Sequence, residues 1–226
     1  MSRTRHRPSA SSCWTGALFA IGSTCFALGS VPVYFDAVSA STAAWTFFIG
    51  SIFFTSAAVL QHRSAPSDRP GETRPDGGSV VRATLSALSR PTARRAAAVQ
   101  LVGTVFFNLS TFAATRDAMS TQQERRLVWA PDVFGSVCFL VASAAGWSLV
   151  RADRPRAAWS ATTIGAVNLA GSIAFGAAAL GARLLRTDGE TANIELVNLG
   201  TFAGAVCFFV GAALLPVDDA RSPVSP

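Results

Sequence analysis

Four side chains in this otherwise apolar chain could handle a solute: Gln100, Asp132, Asn168 and Glu195. Each lies inside, or at the edge of, a long run without charge. A carboxylate at the mouth of such a run attracts cations, and an amide within it can hydrogen-bond a neutral solute. Together they would outline a polar path through a membrane. Each also has a structural reading. Asp132 follows Pro131 at the start of an apolar run, and Glu195 opens another. A carboxylate there complements a helix dipole, and proline suits a first helical turn. Buried amides such as Gln100 and Asn168, with Asn108 and Asn198, serve as interhelical glue worth about 1 kcal/mol. The sequence leaves both readings open. No ionisable acid or base falls mid-run, which argues against a proton relay or an ion pump.

Other chemistries find less support. The cysteines are Cys13, Cys25, Cys138 and Cys207, with no C-x-x-C pair for redox or metal work. His6 lies near the N-terminus and His62 at the edge of an apolar run, so neither is placed as a catalytic base. The chain has no lysine, which removes Schiff-base and phosphate-loop chemistry. No G-x-S-x-G, H-E-x-x-H or glycine-rich phosphate loop occurs. The expectation is a protein that is not an enzyme, with no cofactor and no metal.

The elements that must position these residues are long apolar helices. Half of the 226 residues are hydrophobic and 14% are charged, too apolar a balance for an ordinary soluble domain. Charge-free runs cover residues 8–35, 37–62, 96–115, 133–150, 157–182 and 196–217. Each approaches or exceeds the ~18 residues that cross a hydrocarbon core as a helix, and none alternates as a barrel strand would. Six spans are expected, at 14–35, 43–61, 96–115, 130–150, 159–182 and 194–215. Trp14, Trp45, Trp129, Trp147, Trp159 and Tyr34 fall at span ends, as an interfacial aromatic belt would.

The spans share a repeat in which glycine is followed four residues later by phenylalanine. The pairs are Gly22 and Phe26, Gly50 and Phe54, Gly103 and Phe107, Gly135 and Phe139, Gly171 and Phe175, Gly204 and Phe208. Random placement of 18 glycines and 16 phenylalanines over 226 residues would give about one such pair. The residue after the glycine is Ser or Thr in five copies, and the seventh is small in all six: Gly29, Ala57, Ser110, Ala142, Ala178 and Gly211. Three of the four cysteines directly precede the motif phenylalanine, where they read as small apolar residues. Residues i, i+4 and i+7 share a helix face, so each span carries a small-residue groove beside a projecting ring. Such grooves let helices approach closely in lipid, so the six glycines are expected to pack helices together. Alternatively the rings line a central path as apolar constrictions. Three residues before the glycine stand Phe19, Phe47, Gln100, Asp132, Asn168 and Thr201.

Arginine sets the sidedness. Fourteen arginines fall in the N-terminal segment, the loops after spans 2 and 4, and the C-terminal tail; five fall in the other connections. The positive-inside rule then puts both termini in the cytoplasm. Acidic residues concentrate on the other side: Asp36, Asp117, Glu124, Asp132, Asp188, Glu190 and Glu195. The domain plan is an Arg-rich tail (1–13), a six-helix membrane domain (14–215) holding a cytoplasmic loop (62–95), and a tail (216–226). Within that loop, residues 79–90 read equally as an interfacial helix or a solvated linker. Arg3, Arg5 and Arg7 before an apolar run could mark a signal peptide, but span 1 is long and carries the repeat, so a retained helix is preferred.

The segment Trp45-Thr46-Phe47-Phe48-Ile49-Gly50-Ser51-Ile52-Phe53-Phe54 resembles the signature of YrhK-like membrane proteins. Echoes occur at Val102-Gly103-Thr104 and Phe134-Gly135-Ser136. The resemblance implies helical hairpins, three in a chain of this length, in uncharacterised bacterial integral membrane proteins. It implies no activity and no catalytic residue. The expected fold is therefore an all-α polytopic bundle of six transmembrane helices in a bacterial plasma membrane. It is built either as two inverted halves of three spans or as three hairpins. The leading functional expectation is helix packing or partner binding, with the bilayer and a second copy or another membrane protein as partners and no nucleic acid. The alternative is a small-solute carrier or channel.

Overall fold

The computed structural model describes residues 7–66, 85, 91–153, 157–183 and 191–221. Six long helices dominate it: α1 (Ala10–Gly29), α2 (Ala40–Ser64), α3 (Ala93–Ala113), α4 (Ala130–Ala152), α5 (Trp159–Gly181) and α6 (Ile194–Asp219). All six are long and apolar enough to cross a membrane. The chain is a multi-pass, all-helical membrane protein.

Local chemistry fixes the ends. Ser9, Ser39, Thr92 and Asn193 accept a backbone N–H three residues on, capping α1, α2, α3 and α6. Span 1 stops at Gly29, short of the expected residue 35, because Pro32 starts a separate short helix, Pro32–Ala37. The Tyr34 hydroxyl ties that helix to Thr46 of α2 at 2.7 Å. Before α4 comes a short helix, Thr121–Glu124, then a π-helical turn, Arg125–Trp129. Pro131 has no N–H to return to Leu127, and the turn ahead of it widens. Within that turn the Val128 carbonyl accepts from Ser110 Oγ at 2.8 Å. α6 continues through Pro216 to Asp219, beyond the expected end at 215. The expected interfacial segment 79–90 lies outside the described residues, Leu85 apart.

Each long helix packs mainly on the helices before and after it in the chain, and α1 packs on α6. The six therefore form a closed ring in chain order. In such a ring with alternating helix directions, no proper rotation carries α1–α3 onto α4–α6. Three-fold rotation of hairpins is allowed. The glycine contacts group the same way. A methyl built on Gly22 would lie 2.9 Å from the Gly50 carbonyl oxygen; on Gly135, 3.1 Å from that of Gly103; on Gly204, 3.0 Å from that of Gly171. Backbones thus touch within α1–α2, α3–α4 and α5–α6, where no side chain could be inserted.

The remaining motif positions follow from this pairing. The Cβ atoms of Cys25, Cys138 and Cys207 sit on Gly50, Gly103 and Gly171 of the hairpin partner, at 2.7–3.0 Å from a methyl built there. All four cysteines are free thiols. The small i+7 residue is a socket for the i−3 side chain across the hairpin: Phe47 covers Gly29, and Asn168 covers Gly211. Ser23, Ser51, Thr104 and Ser172 are fully buried, and Ser136 nearly so. Two seams between hairpins are pinned by hydroxyls: Ser51 to Thr111 at 2.9 Å joins α2 to α3, and Ser143 to Ser172 at 2.7 Å joins α4 to α5. The outward faces are apolar, with Ile21, Ile49, Leu109, Phe134, Ile173 and Leu199 exposed where lipid would lie.

Candidate functional site

The axis of the ring is filled by the six motif phenylalanines, all buried. They form two triangles. Phe26, Phe107 and Phe175, from the odd-numbered helices, meet at ring-centroid distances of 5.9–6.3 Å. Phe54, Phe139 and Phe208, from the even-numbered helices, meet at 5.6–6.4 Å. Three further contacts of 5.2–5.5 Å join each hairpin's own pair across the two layers. Most contacts are edge-to-face, the arrangement that ring quadrupoles favour. The result is a trigonal prism of rings. The void left between them is only about 10 Å³, about the volume one water centre needs.

Beyond the prism, at the end away from the first residues of α1, lies a cavity of about 250 Å³. Its floor is the odd triangle, Phe26, Phe107 and Phe175. Its walls carry the i−3 residues of the three even helices, Phe47, Asp132 and Thr201. Glu124 and Trp129 complete the side formed by the π-helical turn. Three polar groups in this wall are already committed. Trp129 Nε1–H donates to the Ala179 carbonyl at 2.9 Å, Ser110 donates to Val128, and Thr111 donates to the Phe107 carbonyl at 2.7 Å. Asp132 and Glu124 have no side-chain hydrogen bond or ion pair among the described residues. At the opposite end is a wider polar recess of about 520 Å³, lined by Ser12, Thr15, Gln61, Ser64, Asp218 and others.

Of the four residues expected to outline a path, Asp132 alone lines this cavity. Glu195 is exposed at the start of α6. Asn168 is half-buried against Gly211, between α5 and α6. Gln100 is half-buried in the first half of α3 and lines neither end cavity. The six motif glycines lie at the contacts between the two helices of each hairpin. Sequence reasoning did not find Glu124 and Trp129 as cavity residues. Trp129 departs from the interfacial belt of exposed Trp14, Trp45 and Trp159. Trp147 also departs from the belt and lies against Gly165. The signal for Trp129 was its position two residues before Pro131, inside a turn that must open.

The chain matches no protein-family model, no curated protein and no solved structure.

Proposed function

We propose that this is a non-enzymatic membrane protein that works by binding, with a closed centre. The phenylalanine prism carries this reading: the rings fill the axis, and they are held by backbone contacts within each hairpin. Opening it would mean moving several rings at once, each locked by its neighbours. The cavity beyond the prism is then a dead-end cup. The arginine distribution supports termini in the cytoplasm, with the cup facing out. Pairing of the motif glycines by hairpin is what a triplicated YrhK-like hairpin in a bacterial plasma membrane would leave. A second copy or another membrane protein would meet the bundle on its apolar outer face.

The test is flux. Purified protein in liposomes should show no saturable uptake of amino acids, sugars, amines or inorganic ions above protein-free vesicles. Saturable uptake of any of these by the wild type would overturn the closed-centre reading. The pair Gly135→Leu and Gly171→Leu, placed at two hairpin contacts, should abolish assembly in detergent; unchanged assembly would remove the packing role.

One observation favours a carrier as the second reading. Cavities lie at both ends of the bundle, with the apolar core between them. The flux assay decides between the two.

A further inference from the structure

Resting on the binding reading above, we infer that the cup is a site for a small organic ammonium ion with an apolar body. Four observations carry it. The cup is a dead end of about 250 Å³ that can enclose a small molecule. Its lining is mostly apolar and includes the rings of Phe26, Phe47, Phe107, Phe175 and Trp129. Its wall donors on Trp129, Ser110 and Thr111 are used within the protein, which leaves the hydroxyls of Thr191 and Thr201, each able to accept as well as donate. Its carboxylates, Asp132 and Glu124, are without partners among the described residues, and no arginine or histidine among those residues lines it.

This pattern selects the ligand by its chemistry. No described side chain in this wall carries positive charge to hold an anion. The polar groups left free in this wall are two carboxylates and two hydroxyls, all of which can accept, so it favours a ligand that donates or carries positive charge. A divalent metal wants six or more oxygen ligands, and no group of three acidic, histidine or cysteine side chains exists among the described residues. An alkyl or aryl ammonium needs one carboxylate for its head and aromatic surface for its body, and rings attract such cations. A carboxylate in a membrane-embedded wall is costly unless it finds such a partner.

The probe is benzyltrimethylammonium chloride, compared with its uncharged carbon isostere, neopentylbenzene. Binding is measured by isothermal titration on the full chain in nanodiscs of phosphatidylglycerol, which has no ammonium headgroup. The cation should bind one per chain, at least about tenfold tighter than the isostere. Asp132→Asn should weaken the cation by about tenfold or more and leave the isostere unchanged. Glu195→Gln, at an exposed site, should change neither. Val197→Trp, which fills the cup from α6 without touching a charge, should abolish both, and its thermal unfolding reports whether the fold survives. Equal binding of cation and isostere, or a cation affinity unmoved by Asp132→Asn in a folded protein, overturns the proposal, as does no binding at all. Repeating the titration in phosphatidylethanolamine discs separates two sources of the same chemistry. Weaker probe binding there assigns the occupant to a lipid headgroup; unchanged binding assigns it to a free ammonium. The two readings fail separately: ammonium flux with binding keeps the cup and removes the closed centre, and neither flux nor binding does the reverse.

Discussion

Replacing Gly22 with alanine adds one methyl where two helices already touch. That methyl would stand 2.7 Å from the Phe54 ring and 2.9 Å from the Gly50 carbonyl oxygen. Carbon atoms rest at about 3.5–4.0 Å, so roughly 0.8 Å of separation must be found. Phe54 cannot supply it, because its ring also meets Phe19, Phe26, Phe139 and Phe208. The hairpin must part, or the prism must loosen. Overpacking of this kind costs about 1–3 kcal/mol. In water the change would recover about 1 kcal/mol of helix propensity. In a bilayer the unassembled helices are already helical, so that offset is small. The expected net loss is therefore about 1–3 kcal/mol. Gly176→Ala is the control, since nothing lies within 4 Å of the added methyl, and it should stay within about 0.5 kcal/mol of the wild type. Gly135→Ala, with its nearest neighbour at 3.1 Å, should fall between them. The assay is reversible unfolding in mixed micelles of dodecyl maltoside and sodium dodecyl sulfate, followed by tryptophan fluorescence. If Gly22→Ala unfolds at the same midpoint as Gly176→Ala, the glycines are not packing contacts and the hairpin geometry is wrong.

Four other outcomes follow. Phe139→Ala removes a ring that is 2% exposed and touches three others of the prism, and should cost about 3–5 kcal/mol in the same titration. The double change Phe139→Ala with Phe208→Ala should let small ions leak through liposomes that the wild type keeps sealed, read as dissipation of a potassium gradient. Ser51→Ala and Thr111→Val should show a coupling energy of about 0.6–2 kcal/mol in a double-mutant cycle, because their 2.9 Å bond joins two hairpins. Cys13 is exposed near the start of α1, so a membrane-impermeant maleimide should label it in inverted vesicles and not in intact cells if the termini are cytoplasmic.

The sequence carried the six spans because a helix in lipid must be long and apolar, and charge-free runs record that directly. The motif glycines fall at hairpin contacts where a Cβ would meet the partner backbone, and a repeated glycine is the residue type that permits such an approach. The sequence did not carry the identity of the central layer. A phenylalanine facing a partner helix and one facing the axis have the same spacing, and only ring closure by α1 and α6 turns the motif face inward. The amides illustrate the same limit. Asn168 and Asp132 stand at equivalent repeat positions, yet one meets a glycine and the other a cavity. The difference is helix direction. Position i−3 lies on opposite sides of the prism in odd and even helices, so one polar series is split between two ends. Glu195 lies beyond that series and stays exposed.

The closure of the ring has a consequence in time. α1 meets α2 as soon as both are made, but its other face belongs to α6. Gly16 lies over the Ala212 carbonyl, the acceptor that Pro216 leaves without its helical N–H. At a synthesis rate of roughly 5–20 residues per second, that partner arrives about 10–40 s later. Until then the open flank of α1 stands in lipid. Along its length the seam that closes last has none of the cross-helix hydroxyl pairs found at the other two hairpin junctions among the described residues, and Ser23 within it has no partner; its polar tie is at the helix ends, where the Ser9 N–H donates to Asp219 at 2.6 Å. An edge that must wait in hydrocarbon is better built from small apolar surfaces than from polar groups that would seek other partners meanwhile.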